Sequence, residues 1–126
     1  MEALLLGDTA MAEVNLNVRD YSKDPFGRYK TDGEGNGEEY RIDYLVPELK
    51  KGNSLIIDLD GINDEYGSSF LVEAFANLIR KEGFKYEEIK CRVKFRSKNT
   101  DWLEEIDYYL DEVKKENQGR ILLNNG

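Results

Sequence analysis

Apolar and polar positions first alternate at Val14, Leu16 and Val18, which are separated by Asn15, Asn17 and Arg19. A period of two sends successive side chains to opposite faces, so this stretch is predicted to be a strand with one buried face. From Tyr21 to Gly37 no apolar period survives. Pro25, Gly27, Gly33, Gly35 and Gly37 punctuate charged residues there, which predicts an ordered or semi-ordered loop. Between Glu38 and Lys51 the spacing of Tyr40, Tyr44, Leu45 and Leu49 turns helical. Pro47 lacks an amide hydrogen and disfavours helix at Val46, so a break or kink is expected at that point.

Ser54 to Leu59 is a short, mostly apolar run ending at Asp60-Gly61, the pattern of an interior strand and a turn. Beyond the polar stretch Asn63 to Gly67, Ser68 or Ser69 is predicted to cap a helix. That helix carries Phe70, Leu71, Ala74, Phe75, Leu78 and Ile79 on one face and is closed by Gly83. Ile89, Cys91, Val93 and Phe95 then alternate with Lys90, Arg92, Lys94 and Arg96, predicting a third strand with an apolar and a basic face. Cys91 is expected to be a small core residue. Asn99 or Thr100 can cap a last helix whose stripe is Trp102, Leu103, Ile106, Tyr109, Leu110 and Val113, with Arg120–Gly126 left as a short tail.

Strands alternating with helices predict a small α/β sheet with helices packed mainly on one face, built as a single domain over residues 1–126. Its expected core is Ile57, Leu59, Phe70, Leu71, Phe75, Leu78, Val93, Phe95, Trp102, Ile106 and Leu110. The apolar share of 40% fits a folded chain.

Charge and residue type then narrow the function. With 26 acidic and 18 basic residues the formal charge is −8, which repels nucleic acid on average. No direct nucleic-acid binding is expected. The chain has no histidine, which removes the commonest general acid/base, nucleophile activator and transition-metal ligand together. Asp58 and Asp60 are alternate strand residues without a recognisable pocket, so no catalytic residue is assigned and the chain is read as non-enzymatic. Asp32-Gly33-Glu34-Gly35-Asn36-Gly37, with Asp43 at the twelfth position, echoes a calcium loop, but Glu stands at position three and Asp where the bidentate Glu belongs. The glycines do not form a phosphate-loop or dinucleotide pattern either. No cofactor and no metal are expected.

Cys91 is the single cysteine, no apolar run reaches the roughly 18 residues of a membrane span, and Met1–Gly7 lacks the basic start of a secretory signal. A cytoplasmic protein is expected, with no membrane partner. Lys90, Arg92, Lys94 and Arg96, continued by Lys98, make a basic stripe that is a secondary candidate surface for an acidic partner.

The run Ile57-Asp58-Leu59-Asp60-Gly61-Ile62, followed by Ser68-Ser69-Phe70-Leu71, resembles the signature of STAS domains, the fold of bacterial anti-sigma-factor antagonists. The chain is closer still to a STAS-like family of unassigned function. The residues that carry this likeness are Asp32-Gly33, Tyr40-Arg41, Leu45-Val46-Pro47-Glu48-Leu49 and Ser68-Ser69-Phe70-Leu71-Val72-Glu73-Ala74-Phe75, within about residues 27–79.

In the antagonists the serine heading this helix is phosphorylated by a histidine-kinase-like ATPase, so the resemblance implies that partner class and Ser68 or Ser69 as phosphoacceptors. Gly67 stands where the antagonists carry Asp, Phe70 where they carry Gly, and the turn is one residue longer. The expected function is a regulatory protein-interaction module, and its candidate site is Asn63, Asp64, Glu65, Tyr66, Gly67, Ser68 and Ser69, with Tyr66 as an exposed interface aromatic. The alternative is an acidic inhibitor or nucleic-acid mimic of phage origin, presenting Asp101, Glu104, Glu105, Asp107, Asp111 and Glu112 to a basic groove.

Overall fold

The computed structural model describes residues 12–125, with side chains through Gly119. The expectation for Met1–Gly7 lies outside the described residues. Strands β1 (Glu13–Asn17), β2 (Ser54–Asp58) and β3 (Val93–Arg96) pair in parallel, in that order. The register aligns Val14, Leu55 and Val93 in one row and Leu16, Ile57 and Phe95 in another, and both rows face the core. The other rows, Asn15–Ile56–Lys94 and Asn17–Asp58–Arg96, point to the opposite face and are exposed or half-buried. Right-handed crossovers between parallel strands laid down in sequence order all fall on one side of the sheet. The helices accordingly cover the apolar face, and the result is a small α/β fold.

Strand β1 stops one residue before its alternation does. Val18 is fully buried, but it opens the short helix α1 (Val18–Tyr21), because Asn17 in extended conformation accepts the Arg19 N–H through Oδ1 at 3.1 Å. At Pro47, where a break or kink is expected, the helical hydrogen-bond pattern changes but the run is not interrupted. Residues 37–50 run on as α2 (Gly37–Tyr40), a π turn (Arg41–Leu45) and α3 (Val46–Lys50). The Val46 N–H reaches the Arg41 carbonyl, and Pro47 then sits in the first turn of α3, where a missing donor does least harm.

The second helical run, residues 68–80, comprises α4 (Ser68–Leu71), a π turn (Val72–Ala76) and α5 (Asn77–Arg80). Sequence spacing predicts one apolar face. Every residue from Phe70 to Ile79 except Val72 is in fact buried, because this run packs against both the helical run 37–50 and the long helix α7 (Thr100–Asn125). The Phe75 ring also meets Phe95 of β3 edge-on at 4.8 Å.

The third strand is half as long as predicted. Tyr86–Arg92 forms helix α6, with acids in its first turn and bases in its last, an arrangement that complements the helix dipole. Ile89 and Val93 lie four apart, a spacing that satisfies a helical period as well as a strand's. Cys91 is consequently exposed on α6 and is not a core residue. Helix α7 extends through Asn125, so residues 120–125 continue the helix where a tail is expected. The predicted core residues all join one cluster, with Phe95 partly buried at its margin.

Two helical runs meet at a seam with almost no space. A Cβ on Gly37 would lie 2.6 Å from the Phe70 carbonyl and 2.9 Å from the Ala74 nitrogen, so only glycine allows this approach. One turn on, buried Arg41 donates through Nη1 to the Glu73 carbonyl and, at 2.8 Å, to Glu73 Oε2. Arg41 Nε reaches Glu82 at 2.9 Å, and Lys81 reaches Glu73 Oε2 at 3.0 Å. Burial by itself would raise the Glu73 pKa. The hydrogen bonds from Arg41 and Lys81 overcome that effect and hold the carboxyl below its ordinary value.

Two outcomes follow for stability. Phe75→Ala should cost about 3–5 kcal/mol in a denaturant unfolding curve, and a loss under about 1 kcal/mol would mean that the ring is not core. Glu73→Ala, which leaves the buried Arg41 guanidinium with Glu82 as its remaining carboxylate partner, should cost up to about 3–5 kcal/mol. Because the folded pKa of Glu73 is depressed, its contribution is complete above the unfolded value of about 4.3 and is lost as pH falls through the lower folded value. Unfolding measured from neutral to acid pH should therefore show a shallower loss in Glu73→Ala than in the wild type, and equal slopes would contradict the assignment.

Candidate functional site

Ligands of open parallel sheets gather beyond the carboxyl ends of the strands, and here that end holds the turns after Asp58 and Arg96. Asp58 Oδ1 accepts the Asp60 N–H at 2.9 Å, and Asp60 accepts Ser97 Oγ at 2.6 Å and the Lys98 N–H at 3.0 Å. The Ser97 hydrogen bond leads the interactions that lower the Asp60 pKa. Asp58 thus braces its own turn, and Asp60 ties the two turns together. Gly61, at φ +95°, continues the chain under the Arg19 side chain.

The Asn63–Gly67 turn is bound to the loop that follows α1. The Asn63 N–H donates to the Lys23 carbonyl at 2.8 Å, its Nδ2 to Asp24 at 3.1 Å, and the Gly67 N–H to the Pro25 carbonyl at 3.0 Å. Asn63, Asp64 and Glu65 are exposed, and Glu65 accepts the Trp102 indole N–H at 2.9 Å. Tyr66 is not the exposed aromatic that the sequence suggests. It is buried, donates its hydroxyl to the Leu59 carbonyl at 2.6 Å, and meets Trp102 edge-on at 4.8 Å. Burial raises its phenol pKa, so Tyr66 serves as a core tyrosine with a satisfied hydroxyl.

Neither serine caps the helix through its side chain. The N-cap is Gly67, whose carbonyl accepts the Leu71 N–H at 3.1 Å. A Cβ on residue 67 would lie 2.6 Å from the Phe26 carbonyl, which explains why the aspartate of the antagonists has no room here. With the cap supplied by backbone, the hydroxyls are turned elsewhere. Ser69 Oγ accepts Arg28 Nη2 at 3.3 Å, whereas Ser68 is exposed and lies near the Tyr109 hydroxyl. Tyr109 in turn donates to Glu105 at 2.6 Å, and burial together with that bond pushes its pKa up to about 12.

The sequence patterns passed over two exposed aromatics. Phe26 is 49% exposed, with its backbone against Gly67, and Tyr108 is 60% exposed beside Tyr109. An aromatic directly after Pro25, in a loop without an apolar face, was the available signal for Phe26. Tyr108 lies off the buried stripe of α7.

The loop before α2 is a hydrogen-bonded structure in its own right. Gly27 exchanges backbone bonds with Gly35 and Gly37, and Asp32 Oδ2 accepts the N–H groups of Arg28 and Tyr29. Asp32 therefore holds the loop's own backbone. Among the described residues no group of three or more carboxylates or cysteines could hold a metal ion, and no helix is long and apolar enough to cross a membrane.

The basic stripe does not lie on one strand face. Lys90 and Arg92 belong to α6; Lys90 pairs with Asp107 at 3.0 Å, and Arg92 turns inward to the carbonyls of Leu49 and Asn53, each at 2.7 Å. Only Lys94 and Arg96 share the exposed face of β3. On α7, Glu105, Asp107, Asp111 and Glu112 have partners in Tyr109, Lys90, Tyr86 and Lys115.

No curated protein and no solved structure matches the chain. Residues 42–101, which include the Leu45–Leu49 segment, β2, the Asn63–Ser69 corner, the buried helical run and β3, match the model of a family described as a STAS-like domain of unknown function (DUF4325), and over these residues the chain is similar to that family.

Proposed function

We propose that this chain is a non-enzymatic regulatory interaction module that docks a partner protein through the Asn63–Ser69 corner. The observation that carries this reading is Phe26, a half-exposed aromatic whose backbone is locked against Gly67 beside both serines. Rigid exposed aromatics bury much area with little lost freedom, which suits them to anchor interfaces. Phe26 thus takes the part expected of Tyr66, and Asn63, Asp64 and Glu65 form a polar rim. The STAS resemblance supplies the partner class, a histidine-kinase-like ATPase.

The two serines differ as phosphoacceptors. A phosphate on Ser69 would meet the Arg28 guanidinium, whereas one on Ser68 would lie next to Tyr109 and Glu105. Ser69 is therefore the switch residue in this reading, and about −1.5 to −2 units of added charge beside Phe26 would release the partner without unfolding the module. The acidic-mimic alternative requires carboxylates presented freely along α7, and four of its six already have intramolecular partners.

With a purified histidine-kinase-like ATPase from the same cell, Phe26→Ala should weaken binding about tenfold or more, the effect of losing an interface anchor. Ser69→Asp should weaken it several-fold beyond Ser69→Ala, and mass spectrometry after incubation with ATP should place phosphate on Ser69. Tyr66→Phe should leave affinity per folded molecule unchanged while costing about 1–3 kcal/mol of stability, because the Leu59 carbonyl loses its buried donor. Wild-type binding by Phe26→Ala and by both Ser69 variants would remove the corner from contention.

A further inference from the structure

Strand β3 has a neighbour on one side only among the described residues. The Arg96 carbonyl accepts the Leu59 N–H at 2.9 Å, so Arg96 and, two residues earlier, Lys94 direct their backbone groups toward β2. Phe95 lies between them and directs its N–H and C=O outward, where neither has a partner among the described residues. An open edge of this kind is a template for another strand.

Beside that edge the helices leave an open groove. A groove of about 300 Å³ runs between β3 and α7, with Phe95, Leu103 and Leu110 in its floor and the Lys90–Asp107 ion pair at its side. An added strand would satisfy the Phe95 backbone groups and set its inward side chains over Leu103. Its outward side chains would lie beside Lys94 and Arg96, both exposed on the opposite face.

Those two cations select the occupant. A second copy of β3 paired antiparallel about Phe95 would set Lys94 against Arg96 of the other copy, and like charges opposed across strands are destabilising. Opposite charges there are favourable. We infer that the open edge of β3 takes up an extended segment of a partner protein in which carboxylates alternate with apolar residues, the apolar side chains filling the groove and the carboxylates facing Lys94 and Arg96. This surface uses none of the corner residues and stands independently of the proposed function.

The test is titration of the full chain with a capped peptide of alternating Glu and Val, and with its Lys-Val counterpart. Amide hydrogen exchange at Phe95 is read by NMR and affinity by fluorescence anisotropy. The Glu-Val peptide should slow Phe95 exchange saturably and bind about tenfold more tightly than the Lys-Val peptide. Combined Lys94→Glu and Arg96→Glu should reverse that preference, and Lys94→Glu alone, at an exposed position, should at least diminish it. Equal binding of the two peptides, or no change at Phe95, would overturn the inference. So would a Phe95 amide already protected in the isolated monomer, which would give the edge to this chain's own residues, or one protected only on dimerisation. Hexanoate filling the groove without protecting Phe95 would reassign it to a small carboxylate.

Discussion

The seam between the helical runs 37–50 and 68–80 is the constraint on which the remaining structure rests. Gly37 brings two backbones to a separation that no side chain tolerates, and Arg41 then reaches Glu73 out of contact with water. Removing either member would leave the other charge, in a medium that solvates it poorly, with one ionic partner, Glu82 for Arg41 or Lys81 for Glu73. Each charge is also placed within a π turn, Arg41 at the head of one and Glu73 inside the other. Such turns are rare, and here they face each other across the seam, re-aiming one residue on each helix. The run 68–80 is thereby fixed on the sheet, and its amino-terminal end, carrying Ser68 and Ser69, is fixed relative to the loop that holds Phe26.

Much of this could be read in the sequence. The alternation of Val14 and Leu16, the run Leu55 to Leu59 and the stripe of α7 locate sheet and helices, because burial on one face imposes a period that survives any detail of packing. Two periods overlapped where the reading failed. Ile89 and Val93 fit a strand and a helix equally well, and the acids at Glu87 and Glu88 with bases at Lys90 and Arg92 favoured the helix through its dipole. The break expected at Pro47 takes the form of a change in hydrogen-bond pattern, since the π turn ends at Leu45 and Pro47 lies in the first turn of α3.

The candidate site was less legible, since exposure is decided by tertiary contacts. Tyr66 reads as a surface aromatic among polar residues, but a carbonyl of the neighbouring strand's end and the Trp102 ring enclose it. Ser68 and Ser69 read as caps, but Gly67 supplies the cap through its backbone and so releases both hydroxyls for other partners. Glu73 did leave a trace: it is a lone carboxylate within Phe70 to Ile79, a stretch otherwise almost wholly apolar, and such a residue requires a buried partner. That the partner is Arg41, 32 positions away, could be learned only from the fold.

The corner and the β3 edge are distinct surfaces, one at the carboxyl end of the sheet and the other along its side. The first is the proposed docking site. Its most direct test is a hydrogen-exchange footprint of the complex with a histidine-kinase-like ATPase. Slowed exchange in residues 23–28 and 63–69, with α7 unchanged in its outer face, is the result the account predicts. Protection confined to α7, with the corner exchanging as in the free chain, would contradict it.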